Sequence, residues 1–331
     1  MIEWLAFNAQ RLIIRRQFKA SLGYPGNFEN PKSHQEKVQF RKLYGNHAFY
    51  ASVADKYRVR SYVASKIGQQ HLIPLLGAYD RLHRSVFDTL PQQFIIKANH
   101  GCKWHQVVYD KSKLDIDKVV RRFNRLCKRR YGWVAGERHY NFIKPKIVIE
   151  QLLRDRGGGL PWDYNFFCYH GPNGFEYDFA IASPDGKSAK FEKNWQLRTS
   201  DIPEHELAPH VKPANFEVMV QVARDLSVDF DFVRVDLYTV EGKVYFGELT
   251  CTPHQGYGLI LNKERQKIRD EMWHLDAQNP LLYNPPNRFG LRARSALTGQ
   301  RLDGGERRGE LLGVAGRRGF PEKPSRAVGF E

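Results

Sequence analysis

Cysteine and methionine are scarce in this chain, with four Cys and three Met among 331 residues. Cys102, Cys127, Cys168 and Cys251 lie far apart and form no Cys-x-x-Cys pair. That excludes a zinc ribbon and a dense disulfide framework, and it suits reduced thiols in a cytoplasmic protein. No hydrophobic run is long enough to span a bilayer, and the basic cluster Arg15, Arg16, Lys19 follows the apolar start instead of preceding it, the reverse of a signal peptide. A Walker A loop, a GxGxxG fingerprint, a nucleophile elbow and a Ser-His-Asp order are all missing. Internal repeats and heptad arrays are missing too.

What is present is aromatic and basic. Six Trp, 16 Tyr and 21 Phe exclude a disordered chain, and the length suggests about two domains. A formal net charge of +16 favours polyanionic partners: nucleic acid, anionic lipid, an acidic polysaccharide or nucleotide phosphates.

Along the chain, Ile2, Leu5, Ala9, Leu12 and Ile13 fall on one helical stripe beside Arg11, Arg15 and Arg16, predicting an amphipathic basic helix that packs on the core or lies on a membrane surface. Ser33 and Glu36 form a capping-box pattern ahead of a helix stopped by Gly45. A further helix is expected from Ser52 to Gly68, carrying Val53, Tyr57, Val63 and Ile67, and another from Lys111 to Arg130. Period-two segments predict strands at Phe94–Ala98, Val107–Tyr109, Lys146–Glu150, Asp163–Tyr169 and Phe175–Ile181. Phe216–Leu226 reads as a helix, and Phe232–Thr239 with Lys243–Leu249 as a hairpin. Antiparallel strands interrupted by helices imply an α+β protein. After Pro285-Pro286 the composition turns to Gly and Arg, the mark of a flexible basic tail.

The hairpin is the most informative segment. Residues two apart on a strand share a face, so Arg234, Asp236 and Tyr238 point together, as do Glu248 and Thr250 on the partner strand. Two carboxylates and an arginine there suit Mg²⁺ with phosphate oxygens, although Arg234 and Glu248 also fit an ordinary cross-strand ion pair. A turn of three residues, Val240-Glu241-Gly242, would place Arg234, Asp236, Glu248 and Thr250 on one face, and so would a two-residue turn with a compensating bulge. A two-residue turn alone would put Glu248 on the other side. Lys97, on a strand beside the loop Asn99 to His105, is a second candidate phosphate contact. His100, Cys102 and His105 match no standard zinc spacing. Asp229-Phe230-Asp231 is similar to the DxD of nucleotide-sugar glycosyltransferases.

Several short motifs together resemble the TupA-like branch of the ATP-grasp superfamily, from about Phe18 to Pro286. They are Asn30-Pro31-Lys32 with Glu36-Lys37, Asp55-Lys56-Tyr57 with Arg60 and Val63, Lys66-Ile67-Gly68, Lys97 to Gly101, Lys144-Pro145-Lys146 to Glu150, Asp163-Tyr164 to Gly171, and Arg234 to Pro253. The resemblance implies ATP held between two α+β lobes, with a helical region over 1–80, a small lobe over 81–155, a large lobe over 156–286 and the tail over 287–331. It implies Lys56 and Lys97 as nucleotide lysines, Glu150 at the start of the adenine hinge, Asp163 on the ribose, and Arg234 on the terminal phosphates, Arg234 and Lys97 acting as the catalytic pair. Asp236, Glu248 and Thr250 would hold magnesium, and Lys190 or Lys193 would add a phosphate lysine. The chain departs from the family at Gly101-Cys102-Lys103-Trp104, where Gly-Ser-Gly is usual, at Asn165 in place of a lysine, and at Thr250 in place of an asparagine.

The implied activity is carboxylate–amine ligation in cell-surface polysaccharide synthesis. Its substrates would be an acidic polysaccharide or precursor carboxylate and an amine, in the cytoplasm or at its inner membrane face, with no specific nucleic acid. The readings outside that family are a glycosyltransferase using Asp229 and Asp231 and a non-catalytic polyanion binder.

Overall fold

Two antiparallel sheets organise the chain. A computed structural model describes residues 2–185, 187–198, 211–258, 260 and 262–284. The smaller sheet has the order β1-β4-β2-β3, from β1 (Leu75–Tyr79), β2 (Phe94–Ala98), β3 (His105–Val108) and β4 (Ile147–Gln151). β1 therefore begins this sheet ahead of residue 81. Along β2 the buried Phe94, Ile96 and Ala98 alternate with the half-exposed Ile95 and Lys97, so the apolar set faces α5 (Ile116–Leu126) and Lys97 faces away from it.

The larger sheet has the order β7-β6-β5-β8-β9, from β5 (Asp163–Gly171), β6 (Gly174–Ala182), β7 (Ser188–Lys190), β8 (Phe232–Val240) and β9 (Lys243–Thr250). Its apolar face, with Tyr164, Phe166, Val233, Val235 and Leu237, packs on Phe216, Met219, Val222, Ala223 and Leu226 of α7 (Phe216–Ser227). The other face carries Asn165, Arg234 and Asp236 towards one end and, towards the other, Phe167, Tyr169 and Phe232, which pack on Val38 and Trp273.

The N-terminal helices are α1 (Ile2–Leu22), α2 (His34–Tyr44), α3 (His47–Ala54) and α4 (Val59–Ile67). The capping box holds: Ser33 Oγ accepts from Glu36 N, and Glu36 Oε2 accepts from Ser33 N. Of the two placements open to the stripe of Leu5, Leu12 and Ile13, core packing is not the one found. Phe7, Ile14 and Phe18 face the core, while Leu5, Leu12 and Ile13 are exposed. Two phenylalanines bury more apolar area than the competing leucines, and packing settles which stripe turns inward.

The helix expected from Ser52 to Gly68 is broken in two. Asn46, not Ser52, caps α3, and Asp55 takes backbone N–H bonds from Tyr57 and Arg58 that a continuous helix would not leave free. Asp115 likewise caps α5, so Lys111–Lys113 is a separate 3₁₀ turn and the long helix from Lys111 is shorter than expected. Strand β3 starts two residues earlier than Val107. α6 (Tyr131–Ala135) and α8 (Lys263–Met272) are the remaining α-helices among the described residues. The tail from Asn287 lies outside the described residues.

Buried charge ties the N-terminal helices to the larger sheet. Arg41 of α2 is 1% exposed, pairs with Asp231, and donates to the carbonyls of Phe232 and Cys251 at 2.8 and 2.9 Å. The hydroxyl of Tyr283 donates to the other Asp231 oxygen at 2.8 Å. Asp229 turns elsewhere, to Lys66 at 2.8 Å and Tyr62 at 3.1 Å. The two carboxylates of the DxD-like segment are thus consumed by separate structural pairs, and no shared metal position exists between them.

Candidate active site

The site begins with the register of β8 and β9. Val240 pairs with Lys243, so the turn is the two-residue Glu241-Gly242, and both have positive φ, 53° and 79°, as a type I′ turn requires. The three-residue form is therefore not the one adopted. Between the pairs Leu237–Phe246 and Asp236–Glu248 the ladder skips Gly247, a bulge that restores the parity. A Cβ on Gly247 would lie 2.9 Å from the Tyr238 ring and 3.0 Å from the Asp236 carbonyl oxygen, so glycine is what lets the bulge close.

As a result Asp236 stands opposite Glu248 and Arg234 opposite Thr250, all on one face. Arg234 grips Asp236 through both guanidinium edges, Nε to Oδ1 at 2.7 Å and Nη2 to Oδ2 at 2.6 Å, and Nη2 reaches Thr250 Oγ1 at 3.1 Å. Asn165 pairs with Asp236, Ala180 with Asn165, and Lys190 with Ala180, so a single row crosses the sheet from Lys190 to Glu248. Lys193 is not in that row; its ammonium lies over Tyr177, which points to the opposite face.

The smaller sheet supplies the facing wall. Lys97 Nζ lies 2.7 Å from Glu150 Oε2, and Arg60 Nη1 lies 3.0 Å from Oε1 of the same carboxylate. Lys56, in the break between α3 and α4, reaches Glu248 Oε1 at 3.1 Å and the Gly101 carbonyl at 3.4 Å. A cavity of about 270 Å³ lies between these walls, bounded by Lys56, Arg60, Lys97, Glu150, Asp163, Asp236 and Glu248 and by apolar Ile73, Ile95, Phe246 and Leu249. That is just under the roughly 300–1,000 Å³ usual for ligand pockets.

The charges are tuned by burial and by each other. Burial pushes the Asp236 carboxyl up against the pull of Arg234, and burial with Asp236 nearby pushes Asp163 well above the usual carboxylate range. Burial would raise Glu248 too, but Lys56 and Arg234 outweigh it and hold it below the ordinary value. Asp163 Oδ1 is buried and has no hydrogen-bond partner among the described residues, an acceptor suited to a ligand hydroxyl. Asp236 and Glu248 are hard oxygen donors on adjacent strands, a pair that fits Mg²⁺ if phosphate oxygens and water complete its octahedron. Among the described residues no cluster of three or more His, Cys, Asp or Glu stands ready for a metal.

The loop after β2 is built on its own packing. Trp104 covers Gly101, where a Cβ would lie 2.5 Å from the ring. His100 is buried between Asn99 Oδ1 and the Leu126 carbonyl, at 3.1 and 3.2 Å, while Cys102 is exposed, so these residues form no zinc site. Arg60 and the apolar walls Ile73 and Phe246 were not assigned site roles from sequence; the Asp55-Lys56-Tyr57 and Arg60 spacing was the signal for the first.

The family model for TupA-like ATPgrasp matches residues 36–272, which span both sheets and all of these side chains. The chain belongs to the TupA-like ATP-grasp family. Its α+β architecture, two antiparallel sheets with Lys97 and Glu150 of one and Asp236 and Glu248 of the other around one cleft, is the ATP-grasp fold. Among solved structures, the TupA-like chain is similar to D-alanine–D-alanine ligase from Helicobacter pylori, at 16% identity and TM-score 0.40, covering 67% of this chain and 61% of that one. The corresponding ligase from Bacillus anthracis gives 14% identity and TM-score 0.38, covering 66% and 65%. N5-carboxyaminoimidazole ribonucleotide synthetase from Thermus thermophilus gives 10% and 0.34, covering 60% and 45%. The chain spans less than two thirds of the length of each, and likenesses this distant say nothing of what it acts on. No curated protein matches it. Among the described residues no helix is long and apolar enough to cross a membrane.

Proposed function

We propose that this TupA-like protein is an ATP- and magnesium-dependent ligase that joins a carboxylate to an amine in cell-surface polysaccharide synthesis, working in the cytoplasm. The observation that carries the reading is the convergence of Lys56 and Lys97 with the carboxylate pair Asp236 and Glu248 on the walls of one cleft, with Arg234 bonded to Asp236 on the same face of the sheet. Charges of both signs meet there: the cations suit phosphate oxygens and the carboxylates suit the metal that accompanies them.

In this reading the adenine lies against Ile73 and Ile95, and the buried Asp163 oxygen accepts from a ribose hydroxyl. Lys56 and Lys97 leave Glu248 and Glu150 for the nucleotide phosphates. Magnesium, held by Asp236 and Glu248 with the Thr250 hydroxyl adjacent, would neutralise charge on the terminal phosphates. Arg234 stabilises the γ-phosphoryl group as a substrate carboxylate oxygen attacks it and ADP departs. The amine then attacks the acyl carbon, phosphate leaves, and the nitrogen loses a proton to give the amide. Lys190, at the far end of the row and engaged by neighbours in this structure, is the further phosphate lysine of this reading. A uronic-acid type of carboxylate on a polysaccharide or its precursor fits the basic surface.

The experiment is a coupled ADP-release assay over a panel of uronic acids with amino acids and amines, after a thermal-shift screen with nucleotides. Saturating Mg-ATP at a hundred times its dissociation constant should stabilise the protein by about 2.7 kcal/mol. No shift with any nucleotide, with or without Mg²⁺, would end the proposal.

A further inference from the structure

Helix α1 carries two apolar stripes, and the fold uses one of them. Phe7, Ile14 and Phe18 are buried against α2 and the core. Leu5, Ala9 and Leu12 recur at i, i+4 and i+7 on a stripe displaced by two residues, about 200° around the helix, and Arg16 continues it one turn further. Leu5, Leu12 and Ile13 keep 55%, 51% and 46% of their surface exposed, in a helix already docked by its other side. Arg11 and Arg15 are turned to Glu29, whereas Arg16 and Lys19 are exposed and make no ion pair among the described residues. An ordinary surface helix is polar where it meets water.

We propose that this outer face of α1 docks on an anionic membrane surface, Leu5, Leu12 and Ile13 entering the headgroup–acyl boundary while Arg16 and Lys19 meet lipid phosphates. Charge complementarity decides for lipid over a second copy of the chain. Parallel pairing of the stripe with itself would set Arg16 and Lys19 against their own copies, and antiparallel pairing would set them against the leucines. Three exposed aliphatic side chains are also far short of the roughly 800 Å² that each partner contributes to a stable protein interface. A helix lying in the interface plane needs what α1 offers, an apolar strip with basic residues beside it, and a net charge of +16 strengthens the attraction. The inference is independent of the proposed ligase activity.

The test uses the full chain and vesicles of phosphatidylglycerol with phosphatidylcholine, compared with phosphatidylcholine alone, at low and high salt. Cosedimentation should appear with the anionic vesicles and weaken with salt. Arg16→Gln and Lys19→Gln should each reduce partitioning about fivefold. Leu12→Trp provides a direct readout of depth, because the indole emission should shift to the blue and be quenched by bromine-labelled acyl chains. Leu5→Glu with Leu12→Glu should abolish binding while the melting temperature stays unchanged, the positions being exposed. Failure to bind anionic vesicles would overturn the proposal. So would binding that leaves the Leu12→Trp emission untouched, which would assign the adhesion to other basic surfaces, or a wild-type dimer that the double glutamate variant dissociates, which would make a second copy the occupant.

Discussion

Lys56 Nζ lies 3.1 Å from Glu248 Oε1, so an amine from the helical region and an acid from the hairpin neutralise each other across the cleft. Burial by itself would lower the lysine and raise the acid; together they are pulled the opposite way. Lys56→Met should therefore do two things. Stability without nucleotide should fall by about 1 kcal/mol, a modest figure because Glu248 keeps about a third of its surface in contact with solvent. Mg-ATP affinity, measured by calorimetry, should fall about tenfold, one charge-assisted contact being lost. Unchanged affinity would remove Lys56 from the nucleotide site.

Glu248→Gln keeps shape and removes charge. ADP release should fall at least about a hundredfold, the loss typical when charge stabilisation of a phosphoryl group is withdrawn, with a melting temperature within a few degrees of wild type. Activity retained at wild-type level would show that the metal is held elsewhere.

Gly247→Val probes the bulge. A branched side chain there collides with Tyr238 and the Asp236 carbonyl, and the ladder must shift to relieve it. We expect a loss of about 2 kcal/mol or more on denaturant titration together with loss of nucleotide binding. A variant that binds Mg-ATP normally would show that the parity of the hairpin is maintained in some other way.

Acid should destabilise the protein partly through Asp178. Burial would raise its pKa, but Arg269, at 2.7 Å, and Arg198, at 2.8 Å, hold it below the ordinary carboxylate value. A carboxylate depressed in the folded state contributes stability that is complete above its unfolded pKa, 3.8, and that disappears as pH falls through the lower folded value. Asp178→Asn should cost about 3–5 kcal/mol at neutral pH, since two arginines lose a buried partner, and should flatten the acid limb of the melting curve below about pH 4. An acid limb identical to wild type would contradict this.

Two truncations should differ sharply. Removing 287–331 should leave the melting temperature nearly unchanged, because the segment has few large apolar residues to bury. Removing 277–331 takes away buried Leu282 and Tyr283 and the Asn284 bonds to Gly45 and Tyr44, and should unfold the domain at physiological temperature. A large loss from the shorter deletion would mean that the tail docks.

Much of the site was legible because it is local. Arg234, Asp236, Glu248 and Thr250 sit on one hairpin, where the period of two and the choice between turn and bulge leave few geometries, and the bulged form is the one found. The Arg60–Glu150 pair, 90 residues apart, depends on how two segments dock and leaves no local trace. Which stripe of α1 turns inward was not legible, for a different reason. Its sequence supports two stripes of similar hydrophobicity, and only the rest of the core decides that Phe7, Ile14 and Phe18 turn inward. The single helix expected after Ser52 failed at Asp55, whose side chain offers the backbone an alternative to the next helical turn, and whose other bond goes to Asn99 of the small sheet.

The clasp of Arg41, Asp231 and Tyr283 bears on how this chain is made. Arg41 reaches Tyr283 across a separation of 242 residues, and its charge has no counterpart until the segment from Asp231 onward has left the ribosome. At about 5–20 residues per second that interval is tens of seconds, during which α2 carries a guanidinium destined for the interior with nothing to neutralise it. Completion of the domain is consequently a late event in synthesis, and a nascent chain arrested between residues 231 and 283 should remain open to proteases and chaperones that the finished protein ignores.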